Sequence, residues 1–462
     1  IAFVLKAVDA GNFYIVNCGA ETANGFRIYY NAGTIIVANA TSSSSDFSRT
    51  TTPLYRDFAA FYVVEVEIDT TQASASDRVV IKINGTAQTT TGTDPSLNFD
   101  TWWNSAILHN IGRRGNGSAF LDGYLSVISG SDGTIPASSL YYETTSDGFL
   151  QLLDWSEITH GDEGFLIEGG SAISAGTDSS GNSNNFSKTG TITATNDSPT
   201  NDADNEYGNK PTWNPLALSL IGYARRPAFS NGNKTTTGFG APSSRAVLTQ
   251  YPTNNVHVEF TINSANSGYP VFQAFKAGEE TGGAASASGG SGTNLAAGAT
   301  MPVTGAGTRC TYEIDTINGR VYCWVNGVAQ NSANPNAGSG YTFDYTPHEG
   351  AYSICVVNNT SASATVLTDD PVDTVYAGYV TLGTQNIPTP TIINPDDHFH
   401  SQIVAKSGTT TTFTLPSWIT TYEYLIIIKN TSGSAEKWYW LNSLRGVNKY
   451  ISSDATTAET TD

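Results

Sequence analysis

Glu65-Val-Glu67-Ile-Asp69 sets three carboxylates at alternating positions, a spacing that brings them to one face of a β-strand. Two carboxyl groups about 5–9 Å apart across a cleft are what glycoside hydrolysis needs, one protonated as the acid and the other ionised. Val64, Val66 and Ile68 occupy the opposite face, and that alternation reads more simply as a half-exposed strand with its polar side outward. We therefore expect no catalytic residue here, and expect Gln or Asn at the three positions to leave the fold nearly intact. Asp202-Ala-Asp-Asn-Glu206 spaces oxygen donors like a calcium loop, but Tyr207 stands where the bend glycine belongs and no Glu occupies the twelfth position. His398-Phe-His400 puts two imidazoles on one face of an extended segment without a third donor at usual spacing, so no metal site is expected.

Other catalytic signatures fail in similar ways. Gly112-Arg-Arg-Gly115-Asn-Gly117 lacks the Lys-Ser/Thr and the following helix of a phosphate loop, and neither Gly-x-Ser-x-Gly nor His-Glu-x-x-His occurs. No cofactor is expected. Trp102-Trp103 is the best candidate for a sugar platform, because an indole face stacks on the apolar face of a pyranose. Read as neighbours on a strand, the two indoles point to opposite sides, which leaves at most one exposed and the other in the core.

The elements that would position these residues are strands. Charged residues make up 14% of the 462, against a typical ~25%, and 45 glycines with abundant Ser, Thr and Asn separate short apolar runs. The length suggests about three domains. With a net charge of −19 and no basic run, the electrostatic footprint for nucleic acid or an anionic membrane is missing. No apolar run reaches the ~18 residues of a membrane span, so no insertion is expected. Cys18, Cys310, Cys323 and Cys355 lack Cys-x-x-Cys spacing and read as reduced core thiols, as in a protein assembled in a reducing cytoplasm.

One phrase occurs twice, Arg78-Val-Val-Ile-Lys-Ile83-Asn84-Gly85 and Arg320-Val-Tyr-Cys-Trp-Val325-Asn326-Gly327. In both, a β-rich stretch runs into Asn-Gly, the dipeptide suited to the positive φ angles of a type I′ hairpin turn. Two distant copies predict two related antiparallel β-sandwiches, at 1–170 and 216–385. In the first, strands are expected at 13–17, 26–30, 34–37, 61–68, 79–83, 107–111 and 124–128, with a small helix near 136–141. Residues 171–215 read as a linker or as a strap over the sandwich, and the Gly/Ala/Ser-rich stretch 278–299 as a mobile loop. Residues 386–462 begin a third β module, with strands near 401–405, 424–429 and 437–441. Ile1 falls inside an apolar run and the third module is short, so the natural chain is expected to continue beyond both ends.

In the first domain Phe61-Tyr62 with Asp69, then 79–85, His109-Asn-Ile-Gly-Arg113 and Phe120-Leu-Asp-Gly-Tyr-Leu125 follow the order seen in laminin G-like, concanavalin-type lectin and glucanase sandwiches. With Asp178-Ser-Ser-Gly-Asn182, Ser198-Pro-Thr-Asn201 and Asn214-Pro-Leu216, the succession resembles tail-fibre and virion-appendage proteins of tailed bacteriophages. The second domain looks SPRY-like, on Val256-His-Val-Glu-Phe260, the hairpin 311–327 and Gly350-Ala-Tyr-Ser-Ile354. Thr384-Gln-Asn-Ile-Pro-Thr-Pro390, Asp396-Asp-His-Phe399 and Asn442-Ser-Leu-Arg-Gly446 resemble the stretch that opens a further module in the same phage proteins. Segments 202–210 and 278–299 depart from the pattern. The resemblance implies an all-β chain: a concanavalin-like jelly roll, a SPRY-like sandwich and the start of a third β module. It further implies a structural virion protein without enzymatic activity, assembled in the host cytoplasm. Such a fibre would be a homotrimer that contacts other virion proteins and recognises host surface glycan. A glycan-cleaving depolymerase and a secreted bacterial adhesin are the alternatives.

Overall fold

The computed structural model describes residues 1–20, 24–144, 150–169, 173, 175–200, 208–213, 228–237, 244–247, 255–262, 271–276, 294–296, 306–344, 347, 352–358, 365–368, 370–383, 386, 400, 423–429, 438–444, 449–452 and 460–461. The chain is all-β and its sheets are antiparallel but for one short parallel pairing, Val256 with Val380 and His257 with Thr381. Two compact units divide it, one holding the first two pairs of sheets and the other the third module.

The first sandwich has two six-stranded sheets. One runs Phe165–Ile167, Gly123–Gly130, Ala2–Ala7, Tyr62–Ile68, Val79–Ile83, Thr86–Ala87; the other runs His109–Ile111, Asn12–Ala20, Asn24–Asn31, Thr34–Thr41, Ser44–Thr51, Thr90–Thr93. Alternation explains the core between them, since Phe3 and Leu5, Val64 and Val66, Ile81 and Ile83, and Phe26, Ile28 and Tyr30 all point inward. All seven expected strands are present. Ser44–Thr51 and Thr90–Thr93, rich in Ser and Thr, carry too little apolar pattern to be read from sequence. The expected helix near 136–141 is a single 3-10 turn, Ser138–Leu140.

Glu65 is not on a solvated face; it is 2% exposed. Residues 138–143 and 150–158 flank the outside of its sheet, and Tyr141, Trp155 and Ile158 pack with Ala2, Val4, Val63 and Val127 in a second core layer. Glu65 accepts hydrogen bonds from Ser138 Oγ at 2.7 Å and Tyr142 Oη at 3.0 Å, and Glu67 pairs with Lys82 at 2.5 Å. Asp69 stays outside, accepting from Thr71 and Gln72 in the turn that follows. Strand alternation identifies two faces, but whether a later segment covers the polar one is a tertiary matter.

Both Asn-Gly pairs form the expected turns. Asn84 and Gly85 have φ of 47° and 78°, and Asn326 and Gly327 have 49° and 77°, with Ile83 paired to Thr86 and Val325 to Val328. Each Asn also ties its turn to the preceding strand. Val63 N donates to Asn84 Oδ1 at 2.9 Å, and Arg309 N donates to Asn326 Oδ1 at 2.8 Å.

The second region contains a nine-stranded sheet centred on Val256–Ile262, Arg309–Asp315 and Arg320–Val325, and a four-stranded sheet of Ser244–Val247, Tyr352–Asn358, Val271–Lys276 and Asn294–Ala296. Apart from that last strand, the Gly-rich stretch 278–299 lies outside the described residues. Cys18, Cys310 and Cys323 are buried free thiols, and desolvation pushes Cys310 and Cys323 up to about 12. The third module is a four-stranded sheet, Leu425–Lys429, Trp438–Asn442, Lys449–Ser452 and Thr460–Thr461, while the strand expected at 401–405 falls outside the described residues.

A Cβ at Gly85 would run into the Tyr142 phenol that donates to Glu65, whereas one at Gly327 would meet nothing closer than 3.4 Å. Gly85→Ala should therefore cost roughly 1–3 kcal/mol more than Gly327→Ala, the excess being overpacking added to a left-handed strain common to both. Urea unfolding of the two variants checks the difference.

Candidate functional site

An open groove of about 2010 Å³ runs along one side of the first sandwich, bounded inside by the edge strand His109–Ile111 and by Gly123–Gly130 and Phe165–Ile167, and outside by strap residues 184–198. Compact pockets for small molecules hold about 300–1,000 Å³, so this cleft has room for an extended chain.

Its aromatic residues are arranged differently from the sequence expectation. Trp102 and Trp103 lie on a 3-10 turn, Trp102–Asn104, not on a strand, and both are half-buried. Trp102 is fixed from both ends: its N–H donates to Asn39 Oδ1 and its Nε1 to Thr41 Oγ1, each at 3.0 Å. Trp103 borders the groove and packs on Phe26, Phe165 and His109, with centroids 5.9, 6.2 and 5.1 Å away. The His109 ring holds that turn in place, with Nδ1 2.8 Å from the Ile107 carbonyl and Nε2 3.1 Å from that of Trp103. The most exposed ring in the groove is Phe120, 59% accessible, at the foot of the strand that returns to the sheet. A single Phe in a polar loop carries no periodic signal; the sequence marks Phe120 as part of the 120–125 motif and not as a stacking residue.

The strap is anchored at each end. At the first, Asp178 accepts from the backbone N–H of Leu166, Ser180 and Asn184 at 2.8–2.9 Å; burial opposes its charge, but these bonds outweigh it and hold the carboxyl below its usual range. Phe186 stacks edge-on against Phe165 at 4.9 Å. At the second, Asp197 Oδ2 receives two buried ammonium groups, Lys6 Nζ at 2.7 Å and Lys234 Nζ at 2.6 Å. Asp197 Oδ1 accepts from the Lys210 N–H, Lys6 also reaches Asn209 Oδ1, and the ring of Tyr124 lies 5.3 and 5.1 Å from the two ammonium nitrogens. Burial is the largest influence on the Asp197 carboxyl and acts upward, yet the two lysines overcome it and keep the group ionised below its ordinary value. This triad joins a strand of the first sandwich, the strap and a turn of the second region.

A second buried polar cluster lies on the nine-stranded sheet. His257 and Glu259 share one face of Val256–Ile262, opposite Glu313 and Thr311 of the neighbouring strand. His257 Nδ1 lies 2.9 Å from Glu313 Oε1. The N–H groups of Val372 and Asp373 donate to Glu259, that of Tyr376 donates to Glu313, and Asp373 pairs with Arg309. The segment over this face is thus held by carboxylates that the sheet itself buries. Burial works against charge on His257, but Glu259 and Glu313 raise its pKa to about 9.

Glu65, Glu67 and Asp69 do not border the groove. The acidic stretch 202–206 and His398 lie outside the described residues. Among those described, no three His, Cys, Asp or Glu side chains are grouped to hold a metal, and no helix is long and apolar enough to cross a membrane.

No protein-family model matches the chain, and no curated protein matches it. Among solved structures it is similar to the SPRY domain of human HERC1 (12% identity, 31% of this chain, 92% of that one, TM-score 0.23). It is similar to the Drosophila melanogaster neuralized NHR1 domain (8%, 35% and 99%, TM-score 0.24) and to domains LG4-5 of the mouse laminin alpha1 chain (8%, 79% and 73%, TM-score 0.24).

Removing the Asp197 carboxylate leaves two buried cations facing each other. Asp197→Ala should cost about 3–5 kcal/mol in the region the triad joins and open the strap to protease, read by calorimetry and by mapping the cleavage sites. For His257 the folded pKa of about 9 stands above the ordinary 6.5, so its charge contributes stability in full below about 6.5 and loses it as pH rises through 9. Melting curves between pH 6 and 10 should show this loss, and His257→Gln should flatten that part of the profile.

Proposed function

We propose that the chain is a structural, non-enzymatic virion protein of a tailed phage, a fibre or appendage that displays β-sandwiches and holds host surface glycan in the groove of the first. The observation that carries the glycan reading is the groove itself: open, edged by the exposed Phe120 ring and the half-buried Trp103, and lined by apolar side chains such as Ile111, Leu121 and Phe165 interspersed with amides, hydroxyls and carboxylates. A sugar chain has the matching character, with apolar ring faces for stacking and hydroxyls at the rim. The phage assignment is supported by the order of motifs across three modules. Buried free thiols suit assembly in a host cytoplasm. In this reading the chain works as a homotrimer attached to other virion proteins, because linked weak sites gain avidity without new contacts.

One observation favours the cleaving alternative. Asp122 borders the groove, and burial together with the nearby charge of Asp9 raises its pKa, as a glycosidase acid would require. Release of new reducing ends from host polysaccharide, lost in Asp122→Asn, would replace the binding reading by this one.

On a stacking contribution of about 1 kcal/mol, Phe120→Ala should weaken glycan binding roughly fivefold to tenfold and leave the fold intact. Titration with oligosaccharides from the host surface, beside sedimentation to establish the trimer, tests the proposal.

A further inference from the structure

Between its two anchors the strap runs through nine consecutive exposed residues, 187–195, and nearly all of them border the groove. Such a stretch is unusual for ordered chain, because it leaves backbone groups unpaired as an open strand edge does. Residues 187–194 make no backbone–backbone hydrogen bond among the described residues, and the hydroxyls of Thr189, Thr191 and Thr193 have no partner there either. Gly190 bends the strap at φ 83°, with nothing within 4 Å of where a Cβ would sit. Beyond the bend, Thr191, Ile192 and Thr193 are three β-branched residues in a row, which favour extended chain and set the two Thr hydroxyls on one side.

We propose that residues 187–195 are the outer wall of the binding site and close on an unbranched, uncharged glycan lying in the groove, with Gly190 as the bend that moves. The proposal rests on the glycan reading above and names its ligand class. Hydroxyls that both donate and accept are suited to sugar hydroxyls, and the amides of 187–194, unpaired among the described residues, supply further donors. Charge argues against an acidic polysaccharide. Asp100, Asp122, Asp132 and Glu163 border the groove against Arg113 and Lys188, and the whole chain carries −19. An added peptide strand is the less favoured occupant, since the edge strand His109–Ile111 offers only 3 residues of template.

The test uses the full chain, a panel of linear neutral hexasaccharides of glucan, mannan, galactan and N-acetylglucosamine type, and carboxylated counterparts of each. Hydrogen exchange should show residues 187–195 protected by a neutral hexasaccharide, with at least tenfold weaker binding of its carboxylated form. The double variant Thr191→Val and Thr193→Val keeps shape and strand preference, and should lose about tenfold in affinity with an unchanged melting temperature. Wild-type affinity in that variant without strap protection overturns this inference, and a loss in Phe120→Ala in the same experiment leaves the glycan reading standing. Tighter binding of the carboxylated form, or protection of 187–195 by an extended peptide alone, also overturns it. Binding of no saccharide overturns both readings.

Discussion

The ion triad of Lys6, Asp197 and Lys234 is the constraint on which the arrangement of the first two regions depends. Lys6 is 0% exposed on a strand whose six residues are all buried, and an unpaired ammonium there would carry a desolvation penalty of several kcal/mol. The sheet cannot neutralise it from within. Asp197 arrives from the strap, close to 200 positions later in the chain, and brings in Lys234 from the second region on the same oxygen. A buried charge of this kind adds little net stability compared with a well-packed apolar residue. Its effect is to make alternative placements of the strap costly, since any of them strands two lysines among the rings of Phe61 and Tyr124.

Both sandwiches use the same device on a smaller scale. In the first, Glu65 turns away from the main core and receives Ser138 and Tyr142 from the segment crossing that face. In the second, Glu259 and Glu313 receive backbone N–H groups from residues 372–376. A strand that alternates apolar and acidic residues thereby buries both faces, the apolar one against the opposite sheet and the acidic one against its own covering segment. Carboxylates are suited to this because they accept several hydrogen bonds at once, and each bond to a charged acceptor contributes about 1.5–3 kcal/mol.

This explains what the sequence revealed and what it concealed. The paired Asn-Gly turns were legible because their chemistry is local: positive φ at both residues and a side-chain oxygen returning to the previous strand. The first-domain strands were legible wherever hydrophobic alternation is strong, and failed at Ser44–Thr51 and Thr90–Thr93, where hydroxyl residues replace it. The burial of Glu65 is not legible, because alternation separates faces without saying which is covered. Strand alternation puts Trp102 and Trp103 on opposite faces; the 3-10 turn that in fact holds them depends on Asn39, Thr41 and the Trp103 carbonyl meeting His109, contacts from other strands. The groove was not legible at all. It exists because a segment that reads as linker or strap is anchored around Asp178 and Asp197, with no backbone–backbone hydrogen bond among the described residues over 187–194.

That separation of anchors from span is what makes the strap more than a tether. Hydrogen bonds to Asp178 and the Phe165–Phe186 contact hold one end, and the lysine triad holds the other, so the span is anchored at both ends. A loop confined this way has already lost most of the entropy of bringing its ends together, and ordering it on a ligand costs only the freedom that remains within the span. In the proposed site the sandwich supplies a wall of Trp103, Phe165 and Ile111, and the strap the wall proposed to close. Were the ligand a chain of repeated identical units, as proposed, one packed and one closing wall would let the same groove accept it at any point along its length.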